Sequence, residues 1–446
     1  MSPAALTAAL LGACSREAAM PASAASYVGR ERCVSCHELE HRAWHGSHHD
    51  LAMQVADEST VLGDFADSTF EHFGVTSRFF RDGDRFMVRT DGADGTLADF
   101  PVAYVFGVSP LQQYLIRFHG GRLQALGICW DARPQQQGGQ RWFHLYDERL
   151  EHDDPLHWTS RNQNWNYMCA HCHSTDLRKG YDVVSDSYST RWSEIDVSCE
   201  ACHGPGSHHQ DWADAPVGQR PKAPHAGFET SLRTDAVWSF AAGAPTATRT
   251  GGSAPAVVTE TCAPCHSRRS LLEEGNAPGA LHDRIQLSLL EENLYHADGQ
   301  IEDEVYVYGS FAQSKMFHAG VTCTDCHDPH TLRPYAPGNA LCGRCHQPAV
   351  FDVPEHHHHP VGSAGASCTA CHMPSRRYMV VDPRLDHSIR IPRPDLTVKF
   401  GTPDACANCH DGPAEGAAWA AAAIEAWRGP DRPLPAHWTD ALAAGR

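Results

Sequence analysis

Alternating hydrophobic and polar positions mark one region of the chain as a β-sheet. Residues 77–89 (SRFFRDGDRFMVR) hold two β-prone runs on either side of Asp82-Gly83, a dipeptide that favours a hairpin turn. Further apolar or aromatic runs follow at 100–108, 113–118, 123–130 and 141–146, with Gly and Pro between them. We therefore predict a small antiparallel β module over residues 62–150. Cys129, inside one of these runs, is expected to be a small buried hydrophobe.

The remaining sequence predicts short helices and loops rather than long regular elements. The 36 Gly and 29 Pro among 446 residues fit such a chain, and an Ala- and Trp-rich stretch at 414–427 predicts one terminal helix. We divide the chain into an N-terminal signal segment and linker (1–26), a first motif segment (27–61), the β module (62–150), a segment with seven further motifs (151–412) and a C-terminal helix and tail (413–446).

The pentapeptide Cys-x-x-Cys-His occurs eight times and uses sixteen of the eighteen cysteines. Two thiols on one turn can add across the two vinyl groups of haem, and the adjacent histidine then becomes the proximal iron ligand. One copy could be a zinc or redox fragment, but eight copies predict eight covalent haem c groups with their iron. The predicted attachment residues, numbered as motifs 1 to 8 in chain order, are Cys33 and Cys36, Cys169 and Cys172, Cys199 and Cys202, Cys262 and Cys265, Cys323 and Cys326, Cys342 and Cys345, Cys368 and Cys371, and Cys406 and Cys409.

The histidines that end the eight motifs are predicted to be the proximal ligands. They are His37, His173, His203, His266, His327, His346, His372 and His410. Since the thiols are used as thioethers, a disulfide framework is not expected. The fold class that follows is a multihaem cytochrome c, with short α-helices and loops wrapped around haems and the β module inserted between motif 1 and motif 2.

A second set of histidines is expected to supply distal ligands, because low-spin electron-transfer haems need a second strong axial ligand. The chain has 31 histidines, and those close to a motif can reach a neighbouring haem. His48 competes with His49, and His208 competes with His209. Only one of the run 356–359 is expected to ligate, and methionine is a less favoured alternative. The chosen set is His49, His157, His209, His296, His318, His330, His359 and His387.

Several motifs resemble a known family. Tyr27-Val-Gly-x-x-x-Cys33-x-x-Cys-His, followed by Trp44-x-x-Ser-x-His49, is similar to the opening of cytochrome c-552/c-554-like multihaem proteins. Cys323-x-x-Cys-His-Asp-Pro-His330 and Cys368-x-x-Cys-His-Met-Pro374 resemble the wider group that contains octahaem hydroxylamine oxidoreductase and pentahaem nitrite reductase. The resemblance covers most of 27–410 outside the β module. It implies distal roles for His49, His209, His318, His330 and His387.

Two functions remain open at this point. The chain could carry electrons along bis-histidine haems, or it could act on nitrite, hydroxylamine or a sulfur oxyanion at one open haem. The Cys-x-x-Cys-Lys motif of the nitrite reductases is absent, and Tyr378 is a speculative counterpart of the cross-linking tyrosine of hydroxylamine oxidoreductases. The histidine supply is sufficient to close every iron. The sequence therefore favours an electron carrier, with no catalytic residue assigned.

Charge and the N-terminus bear on partners and location. The net charge of −18 excludes nucleic acid as a natural partner and favours redox proteins with basic patches. Leu11-Gly12-Ala13-Cys14 resembles a lipobox, which predicts a lipidated Cys14 on the periplasmic side, possible outer-membrane attachment and no transmembrane helix. No Lys or Arg precedes the apolar run, so cleavage by an ordinary signal peptidase at Ala22-Ser23-Ala24 is the alternative. Both versions export the chain.

Overall fold

The computed structural model describes residues 24–252, 254–274 and 280–445. The predicted lipidation residue Cys14 and most of the signal segment lie outside these ranges. No helix in the described ranges is long and apolar enough to cross a bilayer.

The central element is a nine-stranded antiparallel sheet, and it confirms the sheet expected from the hydrophobic pattern. It is larger than the small module predicted. The strand order is β2-β3-β4-β5-β6-β8-β9, with β1 paired to β5 and β7 paired to β6. Its strands are β1 (Gln54–Val55), β2 (Ser68–His72), β3 (Val75–Asp82), β4 (Arg85–Asp91), β5 (Leu97–Phe106), β6 (Leu111–Arg117), β7 (Leu123–Ala125), β8 (Ile128–Asp131) and β9 (Arg141–His144).

The predicted hairpin turn is present between β3 and β4. Asp82 pairs with Arg85, and Gly83 takes a positive φ of 59°, a conformation that glycine adopts without a Cβ clash. Phe79 of β3 is fully buried, and its ring stacks on Trp142 of β9 with centroids 3.6 Å apart. Cys129 on β8 is also fully buried, as expected for a small hydrophobe.

Helices elsewhere are mostly single turns. The α-helices of the described residues are α1 (Glu31–Val34), α2 (Glu38–Trp44), α3 (Trp165–Met168), α4 (Ala170–His173), α5 (Cys199–His203), α6 (Ser207–Asp214), α7 (Pro255–His266), α8 (Leu281–Arg284), α9 (Tyr308–Ala312), α10 (Lys315–His318), α11 (Cys323–Cys326), α12 (Asn339–Cys342), α13 (Pro348–Phe351), α14 (Pro354–His357), α15 (Cys368–His372), α16 (Pro394–Phe400), α17 (Ala417–Arg428) and α18 (Trp438–Ala443). The predicted terminal helix corresponds to α17, and a second helix, α18, follows it.

Four two-stranded antiparallel sheets also occur within the described residues. They are β10 (Tyr181–Asp182) with β11 (Ser187–Tyr188), β12 (Val237–Ser239) with β13 (Thr248–Thr250), β14 (Arg269–Leu271) with β15 (Ile285–Leu287), and β16 (Ser375–Tyr378) with β17 (Asp382–Leu385).

Two apolar clusters position the motifs against the sheet. One face of the sheet packs Tyr104, Phe106 and Leu115 against Trp165 and Ala170, which belong to α3 and α4. The second cluster holds the hairpin β16–β17: Leu111, Cys129 and Phe143 contact Val381, and Leu111 lies on the same face of β6 as Leu115. Motif 2 is therefore docked on the sheet. The segment boundaries proposed from sequence remain predictions, since the strands run from Gln54 to His144 without marking a separate unit.

Candidate functional site

Each Cys-x-x-Cys-His motif forms or adjoins one helical turn. Motifs 3 and 7 coincide with α5 and α15, motif 4 ends α7, and motif 8 begins in a 3₁₀ turn, Cys406–Asn408. In motif 5 the histidine N–H donates to the first cysteine's carbonyl at 2.9 Å, and the same bond in motif 8 measures 2.8 Å. Residues three and four apart lie on one face of such a turn. Both thiols and the histidine of a motif thus face the same side, as covalent haem attachment requires.

Polar side chains hold the motif turns in place. The buried Glu200 carboxylate, inside motif 3, accepts hydrogen bonds from the N–H groups of Val28, Gly29 and Gly206 at 2.8–3.1 Å. This contact ties the chain just before motif 1 to motif 3. In motif 5, Thr322 and Asp325 form a capping box at the start of α11.

Six motif histidines face a second histidine from elsewhere in the chain. The ring centroids in these pairs are 6.1–6.5 Å apart. Two imidazoles on opposite sides of one metal need a centroid separation of roughly 6 Å, given metal–nitrogen bonds of about 2 Å. The pairs are His37 with His209, His266 with His49, His203 with His330, His327 with His387, His372 with His356, and His410 with His359.

Burial keeps several of these imidazoles neutral. Burial lowers the pKa of His49 to about 4, and it also lowers the pKa of His203, His266 and His387. A neutral imidazole keeps a lone pair for a metal. The residues present therefore fit iron held between two histidines, and bound haem would supply a one-electron Fe(III)/Fe(II) couple at each such position.

Segments of different motifs also meet. The Glu200 carboxylate joins motif 3 to the backbone just before motif 1, and helix contacts join motifs 2 and 4 (α4 with α7), motifs 4 and 5 (α7 with α11), and motifs 6 and 7 (α12 with α15). Cys202 and Cys265 line one pocket between motifs 3 and 4, and the Arg344 guanidinium of motif 6 donates to the Asp325 carbonyl of motif 5 at 2.7 Å. The run 356–359 lies against both motif 7 and motif 8, through His356 beside His372 and His359 beside His410. The motifs are consequently connected in the order 1-3-4-5-6-7-8, and motif 2 branches from motif 4.

Two motif histidines have aromatic neighbours of another kind. His173 lies against Phe106 with centroids 5.3 Å apart, and His346 lies against Phe351 at 5.4 Å. Within the described parts of the chain, neither faces a second histidine.

Three predicted distal ligands lie elsewhere. His157 is buried against the β module: its Nε2 is 3.0 Å from Asp91 Oδ2 of the module, and its Nδ1 is 2.8 Å from Thr159 Oγ1. His296 Nε2 lies 2.9 Å from the Arg376 guanidinium. His318 ends α10 beside Phe317. No motif histidine faces any of the three in the described ranges.

One facing histidine escaped the sequence prediction. His356 lies opposite His372, whereas His359 of the same run lies opposite His410. Two histidines of the run 356–359 thus lie opposite motif histidines, whereas one ligand was predicted for the whole run. Four consecutive histidines shortly before a motif were the available signal, and the assumption of one ligand for the whole run concealed the second.

One further group of residues in the described chain has the spacing of metal ligands. Ligand atoms of His171, Cys172 and Cys265 lie within 4.8 Å of one another. Thiolate and imidazole also bind zinc, but both thiols belong to complete motifs. Separately, His72, His144 and His157 line a cavity of about 330 Å³ in the β module. The His72 and His144 rings stack there at 4.2 Å.

Comparisons with known proteins indicate the class of protein that this chain resembles. The family model for cytochrome c554 and c-prime matches residues 139–204, which include motif 2 and motif 3. The crystal structure of the outer cell wall cytochrome OcwA is similar in fold, with a TM-score of 0.57 and 18% identity, over 90% of this chain and 87% of that one. The comparison with curated proteins found no match.

The motifs, the family match and the shared fold support a multihaem c-type cytochrome. Covalently bound haem c and a general cytochrome function follow from that class.

Proposed function

We propose that the protein is an octahaem electron carrier, in which imidazole pairs hold most irons in six-coordinate form and motif contacts connect the eight positions. The observation that carries this proposal is the set of six facing histidine pairs. Most of the pairs join residues that are distant in sequence, such as His49 with His266. A facing imidazole would close each of these positions against exogenous ligands, and the contacts between motifs would bring neighbouring haems close together for electron exchange.

The location and partners that we propose follow from export. Haem c attachment and the lipobox at Cys14 support a periplasmic or outer cell-envelope position. The similar fold of an outer cell wall cytochrome supports the same setting. The partners that we propose are redox proteins, one donor and one acceptor, attracted to a chain with a net charge of −18.

A second candidate function concerns motif 2. His173 has Phe106 beside it and no facing histidine in the described ranges, and its Nδ1 lies 2.8 Å from the Ala52 carbonyl. Its Nε2 is thus the nitrogen left for a metal. An iron held from one side only could bind nitrite, hydroxylamine or a sulfur oxyanion.

Ligand binding to the haem-loaded protein separates the two functions. The oxidised protein is titrated with cyanide, nitrite and hydroxylamine, and turnover is measured with a viologen donor and with an electron acceptor. The carrier proposal expects at least six haems that stay low-spin, because an intramolecular imidazole is present at high effective concentration. Any ligand that does bind should be turned over no faster than by free haem.

A matched variant tests whether motif 2 is the reactive position. Cys169→Ala combined with Cys172→Ala removes the attachment points of motif 2 and leaves all six facing pairs intact. Turnover in the parent protein that disappears in this variant would replace the carrier proposal with the enzyme proposal.

A further inference from the structure

The Nδ1 atoms of the paired histidines show one exception to a common pattern. Nδ1 lies 2.8–3.3 Å from a backbone carbonyl oxygen in most cases where it has a hydrogen-bond partner. Examples are His209 with Ala226, His327 with Leu332, His372 with Arg390 and His387 with Leu385. His410 of motif 8 is different, because its Nδ1 lies 3.2 Å from a carboxylate oxygen, Glu415 Oε1.

The loop after motif 8 is built to hold this carboxylate. The Glu415 N–H donates to the Gly412 carbonyl at 2.9 Å, and the Gly412 N–H donates to Glu415 Oε2 at 3.3 Å. A Cβ on Gly412 would lie 2.8 Å from Oε2, so a side chain there would push the carboxylate away. Trp419, near the start of α17, packs its ring 4.8 Å from that of His410. The His410 ring is therefore fixed from two sides.

We propose that Glu415 lowers the reduction potential of the haem at motif 8 by acting through His410. A carboxylate acceptor draws the Nδ1 proton and makes Nε2 a stronger electron donor. Stronger donation stabilises ferric iron over ferrous iron, and the negative charge acts in the same direction. A neutral carbonyl acceptor makes Nε2 a weaker electron donor than a carboxylate does, and it brings no negative charge. The inference rests on the proposed function, since it requires haem at motif 8.

This assignment gives the series of motifs a direction. Motif 8 ends the contact order 1-3-4-5-6-7-8, and a low potential at one end makes that end the entry point for electrons. A low-potential one-electron donor would reduce ferric iron at motif 8. The electron would then pass to motif 7, because electrons move toward the higher reduction potential. The partner that delivers it would approach the loop 411–416.

The test is a redox titration of the fully loaded protein and its Glu415→Gln variant, followed by absorbance in a spectroelectrochemical cell. A tenfold change in the ferrous-to-ferric ratio at a fixed potential corresponds to about 59 mV for one electron. We expect one haem equivalent at the low-potential end to shift positive by at least about that amount. Its low-spin signal in electron paramagnetic resonance should change, while the other signals stay constant.

Two further variants make the result specific. Glu40→Gln is the matched control, because Glu40 Oε2 lies 3.9 Å from His37 Nδ1, beyond hydrogen-bond distance, at the other end of the series. It should shift one haem several-fold less. Gly412→Ala displaces the carboxylate without removing its charge and should move the same haem as Glu415→Gln, in the same direction.

Unchanged potentials in a Glu415→Gln protein that retains eight haems would overturn this inference alone. An equal shift in Glu40→Gln would also overturn it, since charge without the hydrogen bond would then suffice. Absence of haem on the motif 8 peptide, seen by mass spectrometry of the parent protein, would overturn the proposed function as well.

Discussion

His49 faces His266 with ring centroids 6.2 Å apart, although the first residue precedes the β-sheet and the second ends α7. The sheet therefore does not separate motif 1 from the later motifs. The nine strands of the sheet follow His49 in sequence, and motif 4, much later in the chain, packs against His49 again.

Replacing His49 with Ala should open the iron at motif 4 and leave its thioethers intact. We expect a new high-spin signal of about one haem per molecule in electron paramagnetic resonance, because the facing imidazole is lost. His157→Ala is the matched control: this ring bonds to Asp91 of the β module and to Thr159, so no high-spin signal should appear. A signal of equal size in both variants would contradict the pairing.

The sequence could predict local features well. Asp82-Gly83 between two β-prone runs gave the hairpin, since turn chemistry and side-chain alternation are properties of neighbouring residues. The eight motifs are also local. The facing histidines cannot be predicted from neighbouring residues, because most of them depend on which distant segment packs nearby. His157 was chosen for its position in sequence, whereas the fold places Asp91 beside it. His356 was missed because no local rule indicates that one short run reaches two motifs.

Haem content should distinguish motif cysteines from the other buried thiol. We expect eight haems per chain by intact mass and by the pyridine haemochrome assay. Cys199→Ala combined with Cys202→Ala should leave seven. Cys129→Ala should keep all eight, because Cys129 is fully buried on β8 and burial raises the pKa of its thiol well above the usual range. Six or fewer haems in the parent protein would show that some motifs are unused.

Loss of the Phe79 ring should destabilise the β-sheet. Phe79→Ala removes a fully buried side chain that stacks on Trp142, which corresponds to a loss of about 3–5 kcal/mol in the free energy of unfolding. Denaturant titration followed by far-ultraviolet circular dichroism measures it. Phe73→Ala, on an exposed ring at the end of β2, is the control and should change the free energy by less than about 1 kcal/mol. Equal losses of unfolding free energy in the two variants would show that Phe79 does not belong to the core of the sheet.

Acid should destabilise the β module through His144. Burial lowers the pKa of His144 to about 4, with the stacked His72 adding to the effect. Below pH 6.5 the unfolded chain therefore binds a proton that the folded chain does not. The associated stability is present above pH 6.5 and is lost as the pH falls toward 4, on the order of 2 kcal/mol. Denaturant titrations at pH 7 and pH 4.5 measure it. The His144→Phe variant should lose less stability on acidification than the parent, and an equal loss would exclude this histidine as the cause.

The crossing of histidine pairs along the chain bears on biogenesis. The imidazole that faces His203 comes from His330, and the one that faces His327 comes from His387. A chain exported with its N-terminus first would present early motifs to the maturation machinery before these late residues emerge. Covalent attachment must then precede completion of the axial ligand sphere, and the newly translocated intermediate would carry open, reactive irons. Truncation after residue 380 removes His387. We therefore expect the iron at motif 5 to lose its facing imidazole, although the sequence of motif 5 is unchanged.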